Sequence, residues 1–172
     1  MVTTPEPNPA PGVSTILPGE FPPNPKTIIK GSDYHNTLLG TEQEDTIEGN
    51  RGDDLLLGLG DRDLLIGGDG NDILTGGLDP IRNDFAFDQD DGNDIITDFK
   101  PAFPHPDCPK CIQEENPDTI QLADRDGAGG YEAIIEQATE TPEGYAVVHY
   151  GETTITLIGV TPEELTPANF RG

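Results

Sequence analysis

Residues 31–75 read GSDYHNTLL, GTEQEDTIE, GNRGDDLLL, GLGDRDLLI and GGDGNDILT, which are five consecutive nine-residue units that each begin with glycine. Position six of every unit is Asn or Asp, and position eight is Leu or Ile. Two further units continue the pattern with insertions, GGLDPIRNDF from residue 76 and DDGNDII from residue 90. A short fixed period of this kind is typical of a solenoid, in which each repeat stacks on its neighbours.

The composition of each unit predicts an oxygen-lined half-site for a cation. Glycines at positions one, two and four allow positive φ, so that six residues curl into a loop whose carbonyls point inward. Ca²⁺ takes six to eight oxygen ligands at about 2.3–2.6 Å, so two stacked loops are needed for one ion. The candidate ligands at position six are Asn36, Asp45, Asp54, Asp63, Asp72, Asn83 and Asp94. The candidate loop residues are Gly49, Gly52, Gly58, Gly67, Asp69, Gly70 and Gly76.

Positions seven to nine predict a short strand, with the apolar position eight facing the interior. Two units then form one 18-residue coil, and the loops alternate between the two sides. We therefore expect ions between Asn36 and Asp54, between Asp54 and Asp72, and between Asp45 and Asp63. About three to six Ca²⁺ ions are expected in total. The unit GTEQEDTIE lacks glycine at positions two and four, and Tyr34 and Asp61 occupy position four elsewhere, which predicts weaker binding in these loops.

The unit GGDGNDILT, residues 67–75, matches the pattern G-G-x-G-x-D-x-U-x at every defined position. The repeats therefore resemble the RTX (repeats-in-toxin, hemolysin-type) calcium-binding family. The resemblance implies an all-β fold, a right-handed parallel β-roll that folds on binding Ca²⁺, and export through a type I secretion apparatus. Residues 154–170, TITLIGVTPEELTPANF, resemble the small β-rich cap that follows such blocks in serralysin-like secreted proteins.

The charge balance limits the partners of the chain. Its 172 residues contain 33 Asp and Glu against 9 Lys and Arg, a net charge of −24 that disfavours nucleic acid and anionic membranes. Residues 31–98 contain eighteen acids and three arginines, a net −15, so we expect this segment to be disordered without cations. No apolar run approaches the ~18 residues of a membrane span, and the start lacks the features of a signal peptide.

We divide the chain into four parts. Residues 1–29 hold eight prolines before residue 26 and predict a stiff arm, and residues 30–98 form the β-roll. Residues 99–117, with five prolines, predict an irregular loop, and residues 118–172 predict a capping region with a hairpin and short helical turns. Phe85, Phe87 and Phe99 are interpreted as core and cap packing.

The loop carries the only two cysteines, in the arrangement His105-Pro-Asp-Cys108-Pro-Lys-Cys111. We favour a local disulfide between Cys108 and Cys111. The alternatives are two free thiols, or a Zn²⁺ site with His105, for which a fourth ligand is not evident.

Catalysis is not expected. The zinc-protease motif H-E-x-x-H is absent, and His35 and His149 are isolated and interpreted as structural. An EF-hand is excluded because Gly92 stands where the third ligand of a loop starting at Asp88 should be.

We therefore expect a calcium-dependent folding protein, exported to the extracellular space without an N-terminal signal peptide. One alternative is the C-terminal secretion and folding module of a larger enzyme or adhesin. Another is a cytoplasmic calcium buffer.

Overall fold

The structure, a computed structural model, describes residues 26–77, 81–102, 117–123 and 131–172. The strands in chain order are β1 (Thr27–Lys30), β2 (Thr37–Leu39), β3 (Asp45–Arg51), β4 (Leu55–Leu57), β5 (Leu64–Asp69), β6 (Ile73–Thr75), β7 (Asp84–Phe87), β8 (Asn93–Ile96), β9 (Thr119–Leu122), β10 (Thr139–Glu140), β11 (Ala146–Tyr150), β12 (Thr153–Leu157) and β13 (Phe170–Arg171). One helix, α1, spans Tyr131–Glu136, and two 3₁₀ turns span Pro162–Glu164 and Pro167–Asn169.

Successive repeats send their strands to alternate sheets, as the nine-residue period predicts. The first sheet has the order β1-β3-β5-β7-β9-β13, and the second has the order β10-β11-β12-β8-β6-β4-β2. All pairs in the first sheet are parallel, as are the pairs from β2 to β12 in the second. Register in the regular part advances by one coil, with Leu56 opposite Leu74. The fold is an all-β parallel β-roll, as expected.

Position eight forms the interior of the roll. Ile47, Leu56, Leu65, Leu74, Phe85 and Ile96 are fully buried, and Leu38 at the N-terminal end is nearly so. In each regular repeat, only the position-eight side chain is apolar and buried, so this one side chain provides the hydrophobic contribution of that repeat. The rings of Phe85 and Phe99 pack at 6.1 Å between centroids, which confirms their place in the core.

The C-terminal region, predicted as a capping region from residue 118, continues both sheets of the roll. Strand β9 extends the first sheet, while β12 pairs in parallel with β8 and forms an antiparallel hairpin with β11. Ile155 and Leu157 of β12 are fully buried in the same core. At the other end, β1 begins at Thr27, so the proposed arm of residues 1–29 is too long by three residues.

Candidate calcium-binding columns

The position-six side chains stack in two columns, one on each edge of the roll. Column one contains Asn36, Asp54, Asp72 and Asp94, and column two contains Asp45, Asp63, Asn83 and Asp118. In each column, the backbone N–H of one member donates to Oδ1 of the next member. The donor–acceptor distances in column one are 2.6 Å to Asp54, 2.7 Å to Asp72 and 2.9 Å to Asp94. The structure thus brings together every position-six residue that the sequence identified.

Asp118 is a member of column two that the sequence analysis missed. Its Oδ1 accepts the N–H of Asn83 at 2.7 Å, and the following strand β9 continues the first sheet. Asn83 and Asp118 are 35 residues apart instead of 18, so the nine-residue count does not reach Asp118. A local signal was available in the sequence. Asp118 and Ile120 are spaced like the polar position six and the apolar position eight of a repeat.

The second oxygen of several of these carboxylates is buried without a hydrogen-bond partner. Among the described residues, Asp54 Oδ2, Asp72 Oδ2, Asp94 Oδ2 and Asp45 Oδ1 are such atoms. A buried charged oxygen without a partner carries a large desolvation cost, which a bound cation removes. All three aspartates of column one present such an oxygen, so the described residues fit a hard cation there.

The unpartnered oxygens of Asp54 and Asp72 each face the glycine that opens their own loop. A Cβ added at Gly67 would collide with Oδ2 of Asp72, and one added at Gly49 would collide with Oδ2 of Asp54 and the carbonyl of Gly67. The carbonyl and the carboxylate oxygen therefore converge on one small space, which only glycine leaves open. The glycines at position one serve this close approach, whereas positive φ occurs at positions two and four, for example at Gly68 and Gly52.

The stacked carboxylates alter each other's protonation. Burial, with the neighbouring Asp54, raises the pKa of Asp72 to about 6. Burial, with Asp72 and Asp91, raises the pKa of Asp94 to about 7, and burial also raises the pKa of Asp54. All three carboxylates of column one therefore ionise less readily than a free carboxylate unless positive charge lies between them.

The column one loops are also joined on their outer side. At position five, the N–H of Asn71 donates to Oδ1 of Asp53, and the N–H of Asn93 donates to Oδ1 of Asn71. The exposed carboxylate of Asp69 lies 3.4 Å from Nε of Arg51 in the neighbouring coil, and the Asp69 carbonyl accepts the N–H of Gly52 in that same coil. The Asp69 side chain is therefore not a member of the column.

Each column contains three aspartates and one asparagine, but two arginine side chains lie beside column two. Asn83 replaces aspartate in the sixth unit, and its Nδ2, a donor, faces Gly76. The buried carboxylate of Asp84 beside it is paired with Arg62 at 2.5 Å and with Arg82 at 3.3 Å. Although burial opposes it, hydrogen bonds from Thr119 and Arg62 hold the pKa of Asp84 below its usual range.

In the second repeat, Oδ2 of Asp45 accepts from the N–H and the hydroxyl of Thr41 at 2.6 and 3.0 Å. This is the loop without glycine at positions two and four. The loop therefore binds one carboxylate oxygen itself, and the weaker calcium binding expected there stays a prediction.

The remaining sequence predictions divide into two groups. His105, Cys108 and Cys111 lie outside the described residues, so the disulfide and Zn²⁺ alternatives stay predictions. Across residues 26–77, 81–102, 117–123 and 131–172, no three His, Cys, Asp or Glu side chains group as ligands of a metal ion. In the same ranges, no helix is long and apolar enough to cross a membrane.

The fold and columns define a class of protein, the calcium-binding β-roll. The family profile of the RTX calcium-binding nonapeptide repeat, in four copies, matches residues 30–65 and 52–79. Residues 30–79 therefore belong to the RTX calcium-binding repeat family. No curated protein matches the chain significantly.

The solved structures that resemble the chain include a lipase and two epimerase subunits. Extracellular lipase LipA from Serratia marcescens matches with a TM-score of 0.64 and 26% identity over 83% of this chain. The chain spans 20% of the length of that lipase. The AlgE6R2 subunit of the Azotobacter vinelandii mannuronan C5-epimerase matches with a TM-score of 0.54 and 26% identity, over 83% of this chain and 90% of that chain. The AlgE6R3 subunit of that epimerase shares the fold, with a TM-score of 0.56 and 24% identity over 88% and 86% of the two chains.

Proposed function

We propose that the chain binds several Ca²⁺ ions between stacked loops and that this binding folds the roll. The observation that carries the proposal is the set of buried, unpartnered oxygens of Asp54, Asp72 and Asp94, each in a column with a neighbouring coil. The ions join one coil to the next, with loop carbonyls and position-six oxygens as ligands. The predicted total remains about three to six, with column one as the stronger column.

The physical reason for coupled folding is the balance between charge and core. A net charge of −24 opposes compaction, and one apolar side chain per repeat contributes too little to overcome it. Each ion removes repulsion within a column and joins two coils. Binding free energy therefore becomes folding free energy.

Calcium titration followed by far-UV circular dichroism tests this proposal. With chelator, the spectrum should be that of a largely unfolded chain, and β-structure should appear cooperatively as Ca²⁺ is added. Mg²⁺ at equal concentration is the control, because its octahedral requirement suits irregular carbonyl-rich loops poorly. A spectrum that chelator does not change would contradict the proposal.

We further propose an extracellular, non-catalytic role, with export through a type I secretion apparatus. Support comes from the RTX repeats and from the likeness to an extracellular lipase. The second candidate is a role as the calcium-binding module of a longer protein. It is supported by the lipase, in which the region similar to this chain makes up only 20% of the length. Calcium affinity separates both from a cytoplasmic buffer: extracellular modules bind with Kd of roughly 10⁻⁴ to 10⁻³ M, and buffers about 10⁻⁸ M or tighter.

A further inference from the structure

The last coil junction of column two contains a positively charged side chain between its loops. Nζ of Lys100 donates to the carbonyl of Ile81 at 3.0 Å and lies 4.0 Å from Oδ1 of Asp118. The Lys100 side chain is 18% exposed, in contrast to 58% for the surface residue Lys30. Ile81 is two residues before Asn83, at position four of the sixth unit. The ammonium therefore lies between a loop carbonyl of one coil and the position-six carboxylate of the next.

These two oxygens are of the same kind as the ligands proposed for Ca²⁺ elsewhere in the columns. Asp118 differs from Asp72 and Asp94 in the state of its second oxygen. Oδ1 of Asp118 accepts the N–H of Asn83 at 2.7 Å, and Oδ2 accepts the N–H of Lys100 at 2.9 Å. Lys100 thus contacts Asp118 through both its backbone and its side chain.

The neighbouring residues also reduce the attraction for a divalent cation at this junction. Asn83 contributes no charge, and its amide N–H₂ group faces the glycine where Asp54 and Asp72 present an oxygen. Oδ1 and Oδ2 of Asp98, a described acid beside this loop, accept the N–H groups of Gly76 and Gly77 at 2.9 and 2.7 Å. The single charge of an ammonium balances the single charge of Asp118.

We propose that the Lys100 ammonium takes the place of a calcium ion at the last junction of column two, so that this junction closes without Ca²⁺. This inference rests on the proposed calcium-binding function of the other junctions. The coil between Asn83 and Asp118 is then the part of the roll that forms at the lowest calcium concentration, and the coils on its N-terminal side add to it as ions bind. Column two accordingly takes one ion fewer than its number of junctions between stacked loops.

The test uses Lys100→Gln in the full chain, with Lys30→Gln as the matched control. Lys30 pairs with Glu48 on the exposed face of β1, at 2.5 Å, and lies outside both columns. Folding is followed by circular dichroism across a calcium titration, and bound ions are counted by equilibrium dialysis. Lys100→Gln should raise the calcium midpoint roughly tenfold, because it leaves a buried carboxylate without its cation. At saturating Ca²⁺ it should bind one more ion than the wild type, and Lys30→Gln should change neither quantity.

A loss of stability that is the same at all calcium concentrations, with an unchanged ion count, would overturn the proposal and assign Lys100 a packing role. If Lys100→Gln does not fold, the double variant Lys100→Gln/Asp118→Asn decides. Removing both charges should restore folding with the wild-type ion count, and continued failure would overturn the proposal. The wild-type titration separately tests the calcium function itself, since a wild type without a calcium response would contradict that function and not only the role of Lys100.

Discussion

The backbone N–H of Asp54 donates a 2.7 Å hydrogen bond to Oδ1 of Asp72, one coil further along the roll. Oδ2 of the same Asp72 carboxylate is buried and has no hydrogen-bond partner among the described residues. The Asp72 side chain therefore has two roles. One oxygen joins the backbones of two coils, and the other is available to a cation. The two contributions can be separated by mutation.

Asp72→Asn should raise the calcium midpoint by about tenfold or more, whereas Asp72→Ala should abolish folding of the flanking coils. Asparagine keeps an Oδ1 acceptor for the Asp54 N–H and removes only the charge, while alanine removes both. Asp53→Asn is the control, because Asp53 is an exposed neighbour outside the column. The measurement is a calcium titration by circular dichroism, and equal midpoints for the two Asp72 variants would contradict the separation.

Asp54→Ala should remove two calcium ions, and Asp94→Ala should remove at most one. Asp54 lies between Asn36 and Asp72 in column one, so it borders two junctions. Asp94 is the last carboxylate of that column, because the residue opposite it in the next strand is the apolar Ile155. Isothermal titration calorimetry gives the ion count, and equal losses would exclude ions shared between adjacent coils.

Gly67→Ala should impair calcium-induced folding through steric conflict alone. The backbone at Gly67 does not adopt positive φ, but an added Cβ would meet Oδ2 and Cγ of Asp72. Overpacking of this kind costs about 1–3 kcal/mol. Gly159→Ala is the comparison, since a Cβ there meets nothing within 4 Å and adds only the strain of a φ of +81°. Calcium midpoints should shift for Gly67→Ala and remain near wild type for Gly159→Ala.

Acidification should stabilise the folded chain when calcium is absent and should weaken calcium binding when calcium is present. In the ion-free roll, burial raises the pKa of Asp72 to about 6 and that of Asp94 to about 7, above the unfolded value of 3.8. The folded chain then binds more protons than the unfolded chain between about pH 4 and 7, so its stability falls as pH rises through this range. With chelator present, circular dichroism should therefore show more β-structure near pH 4.5 than near pH 7.5.

Protons and Ca²⁺ compete for the same oxygens, so the calcium midpoint should rise as pH falls from 7.5 to 5.5. Asp72→Asn should weaken this pH dependence, and Asp53→Asn should leave it unchanged. A calcium midpoint independent of pH would show that the carboxylates with raised pKa values are not calcium ligands.

Deleting residues 118–172 should abolish cooperative calcium-induced folding, whereas deleting residues 1–25 should leave it nearly intact. The first deletion removes β9 and β12 and exposes the fully buried Phe85 and Ile96, against which these strands pair. The second ends before β1 at Thr27. Circular dichroism with added Ca²⁺ compares the two truncations, and an unchanged midpoint in the first would mean that the C-terminal strands do not support the roll.

The regular units were predictable because one short rule specifies them. Position eight identifies the core from Leu38 to Ile96, and position six identifies both columns as far as Asp94. The period also predicts the alternation of strands between two sheets. Each of these features depends only on residue type and spacing within a repeat.

Features that depend on contacts across longer spacing were not predictable in this way. Asp118 comes after a segment whose length does not fit the nine-residue period, so counting does not assign it to column two. The position of Lys100 between two loops depends on its contacts with Ile81 and Asp118. The exposed side chain of Asp69 depends on Arg51, which lies one coil away. Local period alone does not specify such pairs.

The hydrogen bonds along the columns are insensitive to the length of chain between their members. The N–H to Oδ1 distance is 2.9 Å both for Asp45 and Asp63, 18 residues apart, and for Asp72 and Asp94, 22 residues apart. It is 2.7 Å for Asn83 and Asp118, which are separated by 35 residues. Because loop-closure entropy grows only with the logarithm of loop length, each doubling adds about 0.6 kcal/mol. The roll is therefore a modular scaffold: foreign peptides or whole domains inserted between Ala102 and Pro117, after Lys100, would be displayed at its edge, while the spacing of its coils stays the same.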